Sequence, residues 1–200
     1  MSYVTIPDLT AGTALTGTEQ FEAVQSAASV RLTSQQIKTF TNATYYAAYY
    51  DLTDQSAVAN TPTAIKFNTS YLSNGIAVTN DGSGNPTKIT FTNAGIYSLN
   101  VNVQLANSAA SDCLVRFWQA LDGVDAPGTT SSTVVPKTGD GGCATYNLTL
   151  LGNFTAGQYV QIYWATAAVT TTLDYSAAIT SPYAAPVQPS AIFTASSIIY

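Results

Sequence analysis

Acidic side chains in turn-forming segments are the residues best placed to do chemistry in this chain. Asp81-Gly-Ser-Gly-Asn85 carries oxygen-bearing side chains at alternate positions, as the start of a calcium loop does. Asp122, Asp125 and Asp140 lie in further glycine-containing turns, where two carboxylates across one cleft would suit glycoside hydrolysis. The first segment lacks a closing Glu and is interrupted by Pro86. We therefore expect ordinary turns, in which the carboxylates keep the loops soluble.

The other groups that enzymes and metal sites depend on are scarce. The sequence has no histidine, which removes the commonest general base and the commonest metal ligand. Serine is abundant, but no Gly-x-Ser-x-Gly motif presents one as a nucleophile. Cys113 and Cys143 lack the spacing of a zinc site, and they are either two buried free thiols, the favoured reading, or one disulfide. The sequence predicts no enzyme, no cofactor and no metal.

The charge content indicates what kind of partner the protein has. Charged residues make up 8% of the chain, against roughly 25% in typical soluble domains. The net charge is −5 and the six basic residues are scattered, so we expect no nucleic-acid partner. The sequence shows no signal peptide and no apolar run of about 18 residues, so we expect no membrane span. Hydroxyl and amide groups supply the polarity, and part of this uncharged surface is expected to be buried against other chains.

Strands dominate the chain after residue 41. Gly95–Leu105, which begins at Ala94-Gly95, alternates apolar and polar residues, and the same pattern follows Ala156-Gly157 at Tyr159–Trp164. Tyr45–Asp51 fits a helix or a strand, and we favour a strand. About ten short strands with Gly- and Pro-marked turns predict an all-β two-sheet sandwich or jelly roll, in which the first and last strands are neighbours.

The first 41 residues form a separate segment. They predict a β-hairpin followed by a short helix, which begins at the capping box Thr33-Ser-Gln-Gln36 and runs through Ile37 and Phe40. Such a piece buries too little surface to be stable alone, so we expect it to dock on a partner. Residues 42–200 form the second domain.

The aromatic residues divide into two groups. We expect Phe91, Phe117, Trp118, Phe154 and Trp164 to lie in the core. The thirteen tyrosines are too many for one core. Tyr suits subunit interfaces, because its ring packs while its hydroxyl stays hydrogen-bonded. We favour an interface over a carbohydrate-stacking platform, and assign to it Tyr45, Tyr46, Tyr49, Tyr50, Tyr97 and Tyr200.

Two parts of the chain resemble known families. Phe67-Asn68, Gly75–Val78, Ile89–Phe91, Ala94–Tyr97, Leu105, Ala156–Tyr163 and Ser190–Phe193 resemble the C1q/tumour-necrosis-factor type jelly roll of bacteriophage virion proteins. Ile6-Pro-Asp-Leu9, Ala14–Glu19, Val24-Gln25, Val30–Thr33 and Ile37 resemble a short N-terminal module of tail-fibre, spike and head-decorating proteins of tailed phages. That module usually has leucine where Phe21 stands.

These resemblances imply a homotrimer with an N-terminal virion-docking segment and a jelly-roll head. The residues expected to dock are Ile6, Leu9, Leu15, Phe21, Val24, Val30, Leu32 and Ile37. Because no shaft or coiled coil separates the two parts, we expect a structural virion protein that decorates or cements the capsid, with the major capsid protein as partner. It would be assembled in the host cytoplasm. The alternative is a short tail fibre or receptor-binding tip, which would have tail proteins as partners and would contact host glycan. A polysaccharide-degrading enzyme ranks third.

Overall fold

The computed structural model describes residues 18, 20–25, 28–34, 36–37 and 44–198. Internal contacts divide the chain into two units, Met1–Ala43 and Thr44–Tyr200. Each unit is described by itself. No helix within the described residues is long and apolar enough to cross a membrane.

The first unit contains an antiparallel hairpin. Strand β1 (Gln20–Gln25) pairs with β2 (Ala28–Thr33), and Gln25 lies opposite Ala28 at the turn. The predicted hairpin is confirmed. The reciprocal hydrogen bonds of the capping box are also present: the Thr33 backbone N–H donates to Gln36 Oε1 at 2.8 Å, and the Gln36 N–H donates to Thr33 Oγ1 at 3.1 Å. The helix expected to follow is not established, because Gln35 and residues 38–43 lie outside the described residues.

The regular secondary structure described for the second unit consists of strands and one 3-10 turn at Thr138–Asp140. The strands are β3 (Tyr46–Asp51), β4 (Gln55–Ser56), β5 (Thr63–Ala64), β6 (Thr69–Asn74), β7 (Ile76–Asn80), β8 (Pro86–Phe91), β9 (Gly95–Asn107), β10 (Cys113–Leu121), β11 (Val124–Asp125), β12 (Ser131–Val135), β13 (Cys143–Phe154), β14 (Tyr159–Thr166), β15 (Thr171–Leu173) and β16 (Ala191–Ser197).

These strands form two antiparallel sheets. In the first sheet β9 lies between β13 on one side and β16 and β15 on the other; β3 follows β16, β6 follows β3, and β4 follows β15. In the second sheet the order is β11-β10-β14-β8-β7, with β12 also on β10 and β5 also on β14. β3 and β16 pair with Tyr46 opposite Ser196, so the first and last strands of the unit are neighbours as predicted. The all-β, jelly-roll prediction is confirmed.

The core lies between the sheets and is set by the alternation of the strands. Along β9 every second residue from Tyr97 to Asn107 is buried. Phe91 and Phe154 stack with ring centroids 4.0 Å apart, and Tyr97 packs on Phe91 at 4.7 Å. A buried aromatic side chain contributes about 1.5–3 kcal/mol by leaving water, so this cluster stabilises one end of the sandwich.

The predictions for the aromatic core hold with one exception. Phe91, Phe117, Phe154 and Trp164 are buried, as expected. Trp118 is half-exposed, because its register opposite Tyr163 puts it on the outer face of the second sheet.

Both cysteines are free, so the disulfide alternative is wrong. Cys113 is buried, with its Sγ 3.1 Å from Thr166 Oγ1. Cys143 is exposed, because its position on β13 faces away from the core. The prediction of a buried thiol is therefore correct for Cys113 and wrong for Cys143.

Candidate functional site

The turn carboxylates do not converge on one cleft, since each is held by its own surroundings. Asp81 Oδ1 accepts the backbone N–H groups of Ser83 and Asn85 at 2.8 and 2.9 Å, so the loop satisfies its own carboxylate. Asp125 accepts from the Trp118 indole, and Asp140 forms an ion pair with a nearby lysine. Within the described residues there is no group of three or more acidic or cysteine side chains that could hold a metal ion.

The most distinctive surface of the second unit is the outer face of the first sheet. Its residues are identified by strand register, because paired residues share a face and, along β3, β9 and β16, the residues that alternate with them are buried. We call this surface the uncharged face: Tyr46, Ala48, Tyr50, Leu72, Asn74, Ser98, Asn100, Asn102, Gln104, Thr145, Asn147, Thr149, Leu151, Ile192, Thr194 and Ser196. None of these side chains carries a charge.

Side-chain amides join neighbouring strands across the uncharged face. Asn100 and Asn147 exchange hydrogen bonds, with Nδ2 to Oδ1 distances of 3.1 and 3.0 Å. Asn100 Nδ2 also donates to Thr149 Oγ1 at 3.0 Å, and Gln104 Nε2 donates to Asn102 Oδ1 at 3.1 Å. The network fixes these polar groups in place, so the surface needs little further ordering before it contacts another protein.

Apolar side chains border the amide network. Leu151 is 67% exposed, and Leu72 and Tyr46 are 42% and 41% exposed. The combination of exposed apolar groups, fixed amides and no charge is suited to an interface, because interface cores are depleted of charged residues. Asp174 lies at the margin, where its backbone N–H donates to Gln104 O at 2.9 Å. Burial, and then the nearby Asp54 carboxylate, raise the pKa of Asp174.

The tyrosines assigned to an interface are only partly at the surface. Tyr46 and Tyr50 lie on the uncharged face, and Tyr45 is partly buried against the core. Tyr49 and Tyr97 are 5% and 0% exposed, and their hydroxyls donate to the Ile76 and Asn93 carbonyls, each at 2.8 Å. The interface prediction is therefore corrected for Tyr49 and Tyr97, because the alternation of side chains along each strand places both in the core of the subunit. Tyr200 lies outside the described residues.

The residues predicted to dock on a virion are only partly described. Phe21 is 42% exposed and Ile37 is 36% exposed, while Val30 and Leu32 are half-buried. Val24 lies opposite Ser29 in the hairpin, and its side chain lies outside the described residues, as do Ile6, Leu9 and Leu15 entirely. Docking by these residues stays a prediction.

The outer face of the second sheet differs from the uncharged face. Trp118 on β10 and Tyr163 on β14 lie side by side, with ring centroids 5.8 Å apart and planes at 16°. Lys88 Nζ lies 4.5 Å from the centre of the Tyr159 ring, and Arg116 is exposed on β10. Burial, followed by the Asp125 carboxylate, raises the pKa of Tyr163.

Sequence reasoning missed both the amide network and this aromatic pair. The amides and hydroxyls of the uncharged face were visible only as polar positions of alternating strands. Strand pairing brings them together across gaps of more than forty residues, as the separation of Asn100 and Asn147 shows. The cross-strand pairing of Trp118 with Tyr163 likewise requires the register of β10 on β14.

Comparison with known proteins gives structural matches alone. No family model and no curated protein matches the sequence. Two crystal structures of murine APRIL, at pH 8.5 and pH 8.0, are similar to this chain with a TM-score of 0.48. Their sequences are 8% and 9% identical to this one, and each alignment covers 78% of this chain and 99% of the APRIL chain. The jelly-roll assignment follows from the strand order and pairing described above.

Proposed function

We propose that this chain is a structural protein of a tailed-bacteriophage virion, which acts as a homotrimer that decorates or cements the capsid. Its role is non-catalytic. The observation that carries the proposal is the uncharged face, where fixed amides and exposed apolar side chains offer a surface for another copy of the chain. Most soluble homo-oligomers have closed point-group symmetry. The number of subunits and the virion context rest on the resemblances of the sequence.

The N-terminal segment supplies the attachment in this proposal. Phe21 in its described hairpin and Ile37 beyond the hairpin are exposed, and a hairpin of two six-residue strands is marginal without further contacts. Docking on the major capsid protein would cover these apolar groups and stabilise the hairpin at the same time.

The test of self-association uses the purified full chain. Sedimentation velocity is expected to show a trimer over a wide concentration range, and a folded monomer at micromolar concentration would contradict the proposal. Quantitative mass spectrometry and labelled-particle imaging then locate the protein. Hundreds of copies over the shell support decoration, whereas a few trimers at the tail support the second candidate below.

The test of attachment removes residues 1–41. The remaining chain is expected to stay a soluble trimer that no longer joins the particle, because the self-association surface lies in the second unit. A matched control replaces exposed Phe21 by leucine, the residue usual in the related module, and should leave incorporation unchanged. Normal incorporation of the truncated chain would show that attachment lies elsewhere.

A second candidate is a short tail fibre or receptor-binding tip. The observation that favours it is the half-buried aromatic pair Trp118 and Tyr163 on the outer face of the second sheet, since outward-facing rings beside polar groups are typical of ligand-binding surfaces. In that case the same trimer would be carried by tail proteins and would present the second sheet to the host.

A further inference from the structure

The outer face of the second sheet contains an aromatic platform that the core does not require. Trp118 and Tyr163 form a cross-strand pair whose ring planes are nearly parallel, at 16°, with centroids 5.8 Å apart. The Trp118 Nε1–H donates to Asp125 Oδ1 at 2.7 Å, and this hydrogen bond fixes the indole. The stacked pair therefore presents an oriented, half-buried apolar surface on the outer face of the sheet.

A cleft lies on either side of this platform. One, of about 450 Å³, is lined by Arg116, Trp118, Asp125, Ala126, Pro127 and Thr130. The other, of about 360 Å³, has Tyr163 in its wall, together with Lys66, Asn85 and the hydroxyl-bearing Thr63. Because the paired rings separate the two clefts, we call the whole surface the platform groove. Its extent suits an elongated ligand that stacks on the rings and enters both clefts.

The platform groove contains two positively charged side chains without a hydrogen-bond partner in the described structure, whereas its carboxylates already accept hydrogen bonds. Arg116 and Lys66 have no side-chain hydrogen bond or ion pair within the part of the chain that the structure describes. Asp125 holds the indole, and the Asp81 carboxylate, in the wall of the smaller cleft, accepts from its own loop. A carboxylate on a ligand could thus pair with the guanidinium, whose parallel N–H donors match carboxylate geometry.

We propose that the platform groove binds an acidic oligosaccharide. The C–H face of a pyranose ring stacks on the accessible ring face of the Trp118–Tyr163 pair, since aromatic faces carry the negative part of the ring quadrupole. A sugar carboxylate pairs with Arg116, and the second oxygen of Asp125 accepts a sugar hydroxyl. A neighbouring sugar unit reaches Lys66 in the smaller cleft. The inference goes beyond the proposed self-association and does not depend on it, because the uncharged face belongs to the other sheet.

The experiment titrates the full chain with acidic oligosaccharides and their uncharged methyl esters. The probes are oligogalacturonate and α2,8-linked oligosialic acid, each paired with its ester. Trp164 is fully buried and Trp118 is half-exposed, so intrinsic tryptophan fluorescence reports on the groove. We expect a saturable change with at least one acid, and binding to its ester weaker by about tenfold or more, as loss of a charge-assisted hydrogen bond requires.

Variants measured by calorimetry locate the site. Arg116→Gln is expected to weaken binding of the acid about tenfold while leaving binding of the ester unchanged. Trp118→Leu is expected to abolish both. Lys137→Gln is the matched control: it removes a cation that pairs with Asp140 on a separate loop, at 3.6 Å, and should bind like the parent. Near-ultraviolet circular dichroism confirms that each variant is folded.

Three results would overturn the proposal. The first is the absence of saturable binding to either acid at about 1 mM. The second is equal affinity for an acid and its ester, and the third is full affinity in a folded Arg116→Gln protein. Sedimentation velocity of the same samples distinguishes loss of oligosaccharide binding from absence of a trimer. A monomer that still binds the acid would refute only the proposed trimeric assembly.

Discussion

A charge placed on the uncharged face should prevent self-association while leaving the subunit folded. Thr194 is the position for this test. It lies in β16 opposite Ala48 on one side and Asn100 on the other, and it is exposed in the single subunit. Substitutions at exposed positions usually change stability by about 0.5 kcal/mol or less. Thr194→Asp therefore costs the isolated subunit little.

In the proposed trimer the cost is much larger, because three unpaired carboxylates would be buried. An uncompensated buried charge costs about 3 kcal/mol at the lower end of measured values, or about 9 kcal/mol for three copies. At about 1.4 kcal/mol per factor of ten, the three-body dissociation constant rises about a million-fold. The subunit concentration at half-assembly varies as the square root of that constant, so it should rise about a thousand-fold.

Sedimentation velocity over a dilution series measures this midpoint directly. Thr194→Val keeps the β-branched shape without a charge and should assemble like the parent. Thr79→Asp makes the same change on an exposed strand position of the second sheet and should also assemble normally. A Thr194→Asp protein with the parent's midpoint would refute the assignment of the uncharged face as the interface. So would equal loss of assembly in the Thr79→Asp protein.

Other substitutions test the fold and its carboxylates by urea unfolding. Phe91→Ala should cost about 3–5 kcal/mol, because the ring is fully buried; a smaller loss would mean that the aromatic cluster adjusts. Tyr97→Phe should lower the free energy of unfolding by about 1 kcal/mol, since it removes the hydroxyl that donates to Asn93 O. An unchanged urea midpoint would show that this hydrogen bond does not stabilise the fold. Backbone N–H donors lower the pKa of Asp81, so its stabilisation is present above the unfolded-state pKa and is lost as pH falls through the folded value. Asp81→Asn should therefore be less stable than the parent at pH 7 and equal to it in acid. The pKa of Asp174 is raised in the folded state, so above that pKa the ionised carboxylate destabilises the folded protein. Asp174→Asn should therefore be more stable than the parent at pH 7. The same sign for both variants at pH 7 would contradict this reasoning.

Alternation and turn chemistry predicted most of the sandwich. β9 was recognisable because one side of it is buried along its whole length, and β3 because tyrosine favours strands in a β-rich context. The capping box was recognisable because its two hydrogen bonds depend on residues only three apart. Strand β6 was missed, because five of its six residues are exposed and it shows no alternation.

The candidate sites depended on information that the sequence does not display. An interface was predicted from tyrosine content, and Tyr49 and Tyr97 turned out to lie in the core because their parity along β3 and β9 points them inward. Trp118 was assigned to the core as an aromatic residue of a strand, whereas its register on β14 puts it on the outer face. Residue type indicates that a side chain can serve an interface, but strand parity and register decide which face receives it.

The pairing of β3 with β16 has a consequence for how the chain is made. Tyr46–Asp51 leaves the ribosome well before Ala191–Ser197, and β16 is also the strand that links β3 to β9. Until it emerges, two strand edges wait without hydrogen-bond partners, and such edges recruit other chains. When many ribosomes translate one messenger RNA, the incomplete chains lie close together and their unpaired strand edges can associate. Rapid completion of the chain or binding of a chaperone would reduce this aggregation.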